Sequence, residues 1–167
     1  GIKIDFRNTI IIATSNAGAL FIRDFVKSHP EWGTKDGRST FKQQLMDFML
    51  REKLFAPEFI NRFDNVVLFK PLTLEEVVEI AQRLMQKVVD QMAEQKGIVM
   101  EVTSEAVQEL ARLGYDPRYG ARPLRRVIQD TVDDALAKLL LSQQIGRRDT
   151  VVLQPGGIME IKKAVQI

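Results

Sequence analysis

Residues 114–126 read Gly-Tyr-Asp-Pro-Arg-Tyr-Gly-Ala-Arg-Pro-Leu-Arg-Arg, a tight loop running directly into the start of a helix. Two residue types constrain the backbone there. Gly120 permits a geometry that a side chain would hinder, and Pro123 is tolerated in a first helical turn because its missing N–H would have had no partner. The loop therefore fixes where Arg122 points. A helix start already concentrates positive dipole and unpaired N–H groups, so an arginine beside it calls for an anionic partner, and phosphate suits it best. The alternative is a solvated helix edge made of Arg122, Arg125 and Arg126.

Earlier in the chain, Asn8-Thr9-Ile10-Ile11-Ile12-Ala13-Thr14 is a continuous apolar run without alternation, the pattern of a strand buried on both faces of a parallel sheet. Such a strand needs a neighbour on each side. Only Val66-Val67-Leu68-Phe69 resembles it nearby, so the remaining strands are expected to lie outside this sequence, and Gly1 is read as an edge left by processing or fragmentation. Asn16 follows the first run directly, at the carboxyl end where open α/β sheets bind ligands and an amide can orient a water. The alternative for Asn16 is a turn residue bonding local backbone.

A short helix is expected over 20–27, a surface loop over 29–37, and a helix opened by a capping box at Thr40-Phe41-Lys42-Gln43, with Phe41, Leu45, Met46, Phe48 and Met49 as its apolar side. Trp32 is expected to pack on its own loop. Pro57 opens a further short helix, and Arg62 stands at its end, where it pairs with Asp64 or Glu58 or serves another purpose. Lys70-Pro71-Leu72 reads as a hinge. Thr73-Leu74-Glu75-Glu76 caps a long helix carrying Val77, Ile80, Ala81, Leu84, Val88 and Met92. A strand over 98–102, a helix to about Leu113, the arginine loop, a helix to about Gly146, and a hairpin of 150–153 with 158–161 complete the second half.

Composition narrows the chemistry. With 45% hydrophobic and 28% charged residues, the 167-residue chain reads as soluble and globular. A formal charge of +2 makes no demand for nucleic acid or an anionic membrane. There is no cysteine, which removes thiolate metal sites and cysteine nucleophiles, and the single His29 makes a zinc site unsupported. No apolar run approaches the roughly 20 residues of a membrane span, so no membrane partner is expected and a cytoplasmic location is the default. The sequence holds neither a Gly-x-x-x-x-Gly-Lys-Ser/Thr loop nor an apolar strand ending in Asp-Glu.

Gly114-Tyr115-Asp116-Pro117 followed by Gly120-Ala121-Arg122-Pro123-Leu124 resembles the second-sensor motif of the Clp family of AAA+ ATPases, and Pro57-Glu58-Phe59-Ile60-Asn61-Arg62-Phe63-Asp64 resembles that family's arginine-finger segment. Asn16 falls on the first sensor. The resemblance covers nearly the whole chain. It implies an α/β fold in which 1–70 is the C-terminal part of an AAA+ large subdomain and 71–167 a mostly helical small subdomain with a short three-stranded sheet. It also implies that Arg122 contacts the terminal phosphates of ATP and Arg62 reaches the nucleotide of a neighbouring subunit. Ala121 and Ile80 would line the nucleotide. Mg2+ ligands are expected outside the chain, and the working form is a homo-oligomeric ring, usually a hexamer, acting on unfolded or aggregated polypeptide.

Peptidase-coupled members carry an aliphatic-Gly-aliphatic or aromatic tripeptide after the first sensor. Residues 17–54 hold no such triplet, which favours a disaggregase over a protease subunit. Two other classes remain open at this stage. One is a free-standing interaction module that binds a partner ATPase. The other is a nucleic-acid-binding domain using Arg118, Arg122, Arg125, Arg126, Arg147 and Arg148, disfavoured by Asp130, Asp133 and Asp134 on the same helix.

Overall fold

The computed structural model describes residues 8–164; the outer ends of the stretches 1–70 and 71–167 lie outside the described residues. The chain divides into two compact units, Gly1–Pro71 and Leu72–Ile167.

In the first unit, α1 (Ala19–Ser28) and α2 (Lys35–Arg51) are joined through a 3-10 turn, Pro30–Gly33, and a one-turn helix α3 (Pro57–Ile60) follows. Phe25, Phe41, Leu45 and Met49 are buried, the last three at the i, i+4, i+8 spacing of one helix face. Aromatic rings knit this small core: Phe25 stacks on Phe41 at 4.6 Å and on His29 at 4.0 Å. Trp32 meets the edge of Phe41 of α2 at 6.1 Å, a ring contact beyond the 29–37 stretch on which it was expected to pack.

Three expectations for this unit are corrected. The runs 8–14 and 66–69 belong to no strand among the described residues, and Ile10 and Ile12 are 91% and 83% exposed. A strand exists only as a member of a ladder, and with the partner strands expected outside this sequence neither run forms one among the described residues. The second helix does not begin at a Thr40 capping box. Thr34 caps it, its hydroxyl accepting from the Gly37 amide at 3.1 Å, and Thr40 lies inside the helix. The surface loop expected over 29–37 is accordingly replaced by the 3-10 turn and the first turn of α2. The reason is close packing: a Cβ at Gly37 would stand 2.3 Å from the Glu31 carbonyl oxygen, so the glycine that reads as a loop breaker is the residue that lets helix and turn meet.

The second unit opens with α4 (Leu74–Gln91), which carries a full capping box: Glu76 N–H donates to the Thr73 hydroxyl and Thr73 N–H to the Glu76 carboxylate. A π-helical turn, Met92–Lys96, and a left-handed Gly97 end it. Then come β1 (Val99–Val102), α5 (Ser104–Gly114), α6 (Leu124–Ile128), a π-helical turn Gln129–Asp133, α7 (Asp134–Leu141), β2 (Thr150–Gln154) and β3 (Ile158–Lys162). The sheet order is β1-β2-β3, with β1 parallel and β3 antiparallel to β2. The three-stranded sheet and the hairpin through Pro155–Gly157 agree with the sequence reading.

Helical periodicity turns one face of each helix inward. Val77, Ala81 and Met85 of α4 share one core with Ala106, Leu110 and Ala111 of α5, with Leu124 and Ile128 of α6, Val132 of the π-helical turn and Leu136 of α7, and with Met100, Val151 and Leu153 of the sheet. On the other side of the sheet Val152 is buried as well, and the Lys162 ammonium reaches the Glu101 carboxylate at 3.6 Å beside it in register.

The end of β3 is tied down by Asp149, only 6% exposed. Its carboxylate accepts from the Ala164 amide, the Lys163 ammonium and the Gly146 amide, each at 2.9 Å, and these donors hold its pKa at about 2 against an ordinary 3.8. Because the native carboxylate resists protonation more than the unfolded one, its contribution is complete above about pH 4 and disappears as pH falls from 3.8 through 2. Asp149→Asn is therefore expected to be less stable than wild type at pH 6, with the gap closing towards pH 2 in denaturant melts. A gap that stays constant with pH would mean the charge is immaterial.

Candidate functional site

The arginine loop is built from its two ends inward. α5 ends at Gly114, where a Cβ would stand 2.6 Å from the Leu124 Cα; only glycine lets the end of α5 lie against the start of α6. Between them Asp116 organises the turn. Its backbone carbonyl accepts from the Gly120 amide at 2.6 Å and from Tyr119, and its own amide donates to the Gly120 carbonyl. Its carboxylate accepts from the Arg118 amide at 2.7 Å and pairs with the Arg118 guanidinium at 3.3 Å. Those Arg118 bonds lower the Asp116 pKa and raise that of Arg118. Gly120 takes φ 63°, the left-handed conformation its place in the loop demands. Pro123 occupies the cap position just ahead of α6.

This geometry sorts the arginines. Arg118 is committed to Asp116, and Arg126 pairs with Asp130 at 3.5 Å across one helical turn. Arg147 packs over Gly97. Arg122 is exposed and forms no ion pair among the described residues, while its amide donates to the Tyr119 carbonyl at 3.3 Å and so holds its backbone in the turn. Ala121 and Ile80 are half-buried and pack against the core of the same unit.

In the first unit, Asn16 precedes a left-handed Gly18 whose missing Cβ makes room for Leu45 of α2 at 2.7 Å. The local turn bond is made by Ser15, which accepts from the Ala17 amide, while the Asn16 carboxamide makes no hydrogen bond among the described residues. Arg62 follows α3 and is exposed; no ion pair joins it to Glu58 or Asp64 among the described residues. Asn16 and Arg62 thus belong to one unit and Arg122, Ala121 and Ile80 to the other. The sequence places Gly114, Tyr115 and Asp116 in the motif, but the constraints read from it were Gly120 and Pro123, and the part of the other three in shaping the loop appears only in the structure. The Asp-Pro pair was the available signal, since an aspartate before such a turn commonly bonds the backbone two residues on.

No group of acidic or histidine side chains suited to a metal ion occurs among the described residues. No described helix is long and apolar enough to cross a membrane.

The second unit is helical with a small mixed sheet and presents Arg122 from its Gly-Ala-Arg-Pro loop. Residues 72–153 match the family model of the C-terminal, D2-small domain of ClpB protein, and residues 1–66 match the AAA domain of the Cdc48 subfamily. The chain is 42% identical over 155 residues to the ATP-dependent Clp protease ATP-binding subunit ClpC of Staphylococcus aureus, covering 90% of this chain and 18% of that protein. It is 40% identical over 152 residues to the probable chaperone protein ClpB 1 of Chlorobaculum tepidum, covering 90% of this chain and 34% of that one. The chain belongs to the Clp family of AAA+ proteins, whose members use nucleotide and Mg2+, and it corresponds to a C-terminal region of such proteins. It spans about a fifth to a third of the length of these curated relatives.

Proposed function

We propose that this chain supplies the sensing and coupling residues of a Clp-type ATP-dependent unfoldase, working in a cytoplasmic homo-oligomeric ring, a hexamer in the usual case, on unfolded or aggregated polypeptide. Residues 1–70 act as the end of the large subdomain and 71–167 as the small one. The observation that carries this reading is the state of Arg122: exposed, on a loop stiffened by Asp116 and by the Gly114–Leu124 contact, with no anion to neutralise it among the described residues.

ATP provides the phosphoanhydride bond whose cleavage drives the cycle. Arg122 holds the terminal phosphate through its planar fork of donors. Ala121 and Ile80 offer apolar surface to the base or ribose. Asn16 presents an uncommitted carboxamide to a water. Arg62 offers a second guanidinium to the nucleotide of the adjacent subunit. Mg2+ finds no ligand set among the described residues, and none of these roles runs through it.

A disaggregase is favoured over a protease subunit. Gly18 starts α1, Gly33 ends the 3-10 turn and Gly37 is inside the first turn of α2, so none displays a docking triplet on a free loop. Stable docking of the assembled ring onto a Clp-type peptidase would reverse that preference. The nucleic-acid reading is weakened by the pairing of Arg118 and Arg126 with aspartates.

The test is ATP turnover by a complete module in which residues 1–167 follow a P-loop half. Arg122→Ala is expected to lower kcat about 10²-fold, the scale of losing one charged donor from a transition state, and Arg122→Lys to fall between, keeping charge without the fork. Turnover unchanged in Arg122→Ala would remove this residue from the site.

A further inference from the structure

Leu72, the first residue of the second unit, is met by the arginine loop at two points. The Tyr115 hydroxyl donates to the Leu72 carbonyl at 3.1 Å, across 43 residues of sequence. Gly120 lies beside the Leu72 side chain, where a Cβ would come within 3.6 Å of the Leu72 Cδ1. Tyr115 is the residue at which the loop leaves α5, and Gly120 stands two residues before Arg122. The far side of the loop is closed by the contact of Gly114 with the Leu124 backbone, and its interior by the Asp116 bonds. The loop is thus braced at both ends and in its interior, and it touches Leu72, which directly precedes the Thr73 cap of α4 and directly follows Pro71, the last residue of the first unit.

We infer that Tyr115 is a positioning residue that couples phosphate contact at Arg122 to the Pro71–Leu72 junction, where the chain passes from one unit to the other. The inference rests on the phosphate-binding reading of Arg122. The phenol is suited to the task because its ring is half-buried against the core while its hydroxyl alone reaches the carbonyl. Phenylalanine keeps the packing and removes only the link.

The experiment is a titration of the 15N-labelled 167-residue chain with tripolyphosphate, as wild type and as Tyr115→Phe, following amide shifts and hydrogen exchange. In wild type, the Gly120, Ala121 and Arg122 amides are expected to shift, and the hydrogen-bonded amides of Thr73, Glu76 and Val77 to exchange more slowly as the anion binds. In Tyr115→Phe the loop shifts persist with similar affinity. The three amides at the start of α4 then exchange roughly threefold to tenfold faster than in wild type, the scale of one lost hydrogen bond, and no longer respond to the anion. The Val151 and Leu153 amides of β2 stay unchanged in both, which separates a lost link from general loosening. A start of α4 that responds equally in Tyr115→Phe, or does not respond in wild type, overturns the coupling role while leaving Arg122 as a phosphate ligand. Loop amides that ignore tripolyphosphate in wild type overturn the reading of Arg122 itself, and the coupling with it.

Discussion

Replacing Arg62 with alanine in a complete ring is expected to lower ATP turnover about 10³-fold or more, the scale associated with an arginine supplied to a transferring phosphoryl group. Nucleotide affinity should change only a few-fold, because the guanidinium acts on charge that develops as the bond breaks rather than on the bound ground state. Arg62 is exposed and unpaired with Glu58 or Asp64 among the described residues, so alanine there removes no ion pair with either and leaves protein stability nearly unaltered. Mixing tests the subunit of origin. If Arg62 serves a neighbour, equal parts of Arg62→Ala and Arg122→Ala subunits rebuild about a quarter of the sites with both arginines intact, and turnover recovers accordingly. If both arginines serve one nucleotide within one subunit, mixing restores nothing.

The second large effect is on stability. Gly114→Ala places a methyl 2.6 Å from the Leu124 Cα, and Leu124 is fully buried, so the obstacle is backbone in a packed core rather than a side chain that can rotate away. The expected cost is about 3 kcal/mol, the upper part of the range for overfilled cores, which for a unit of this size lowers the melting temperature by roughly 10–20 °C. Gly146→Ala is the control. Nothing lies within 4 Å of its Cβ position, and its amide remains free to donate to Asp149. Equal melting of the two variants would show that α5 and α6 can part without penalty.

What the sequence disclosed were features enforced by neighbours a few residues away. The Thr73 box, the left-handed Gly120 and the Pro155–Gly157 hairpin each follow from local chemistry, and each is where the reading put it. The misreadings arose where a distant partner decides. Gly37 lies in the first turn of α2, capped by Thr34, and only glycine fits against the Glu31 carbonyl there, while the isoleucines at 10–12 join no ladder among the described residues, the neighbours they call for being expected outside this sequence. The site divides the same way. Arg122 and Arg62 stand out by motif, whereas Tyr115 gains its partner only when a residue 43 positions earlier folds back beside it. Gly114 is equally silent until α6 arrives against it.

The order of the sheet also has a consequence for the chain as it is made. β1 is joined to β2, with the Thr103 hydroxyl donating to the Leu153 carbonyl 50 residues on. At the usual pace of synthesis, β1 emerges roughly 3–10 s before the strand it must lie beside. During that interval α4 and α5 have time to form and pack on each other, but the edge of β1 is bare. Its brevity, four residues, and the charge of Glu101 at its middle make it a poor template for a stray strand in the meantime. The nascent second unit is thereby a helical pair that waits for its sheet, and a ribosome stalled before Thr150 would hold it in that unfinished state.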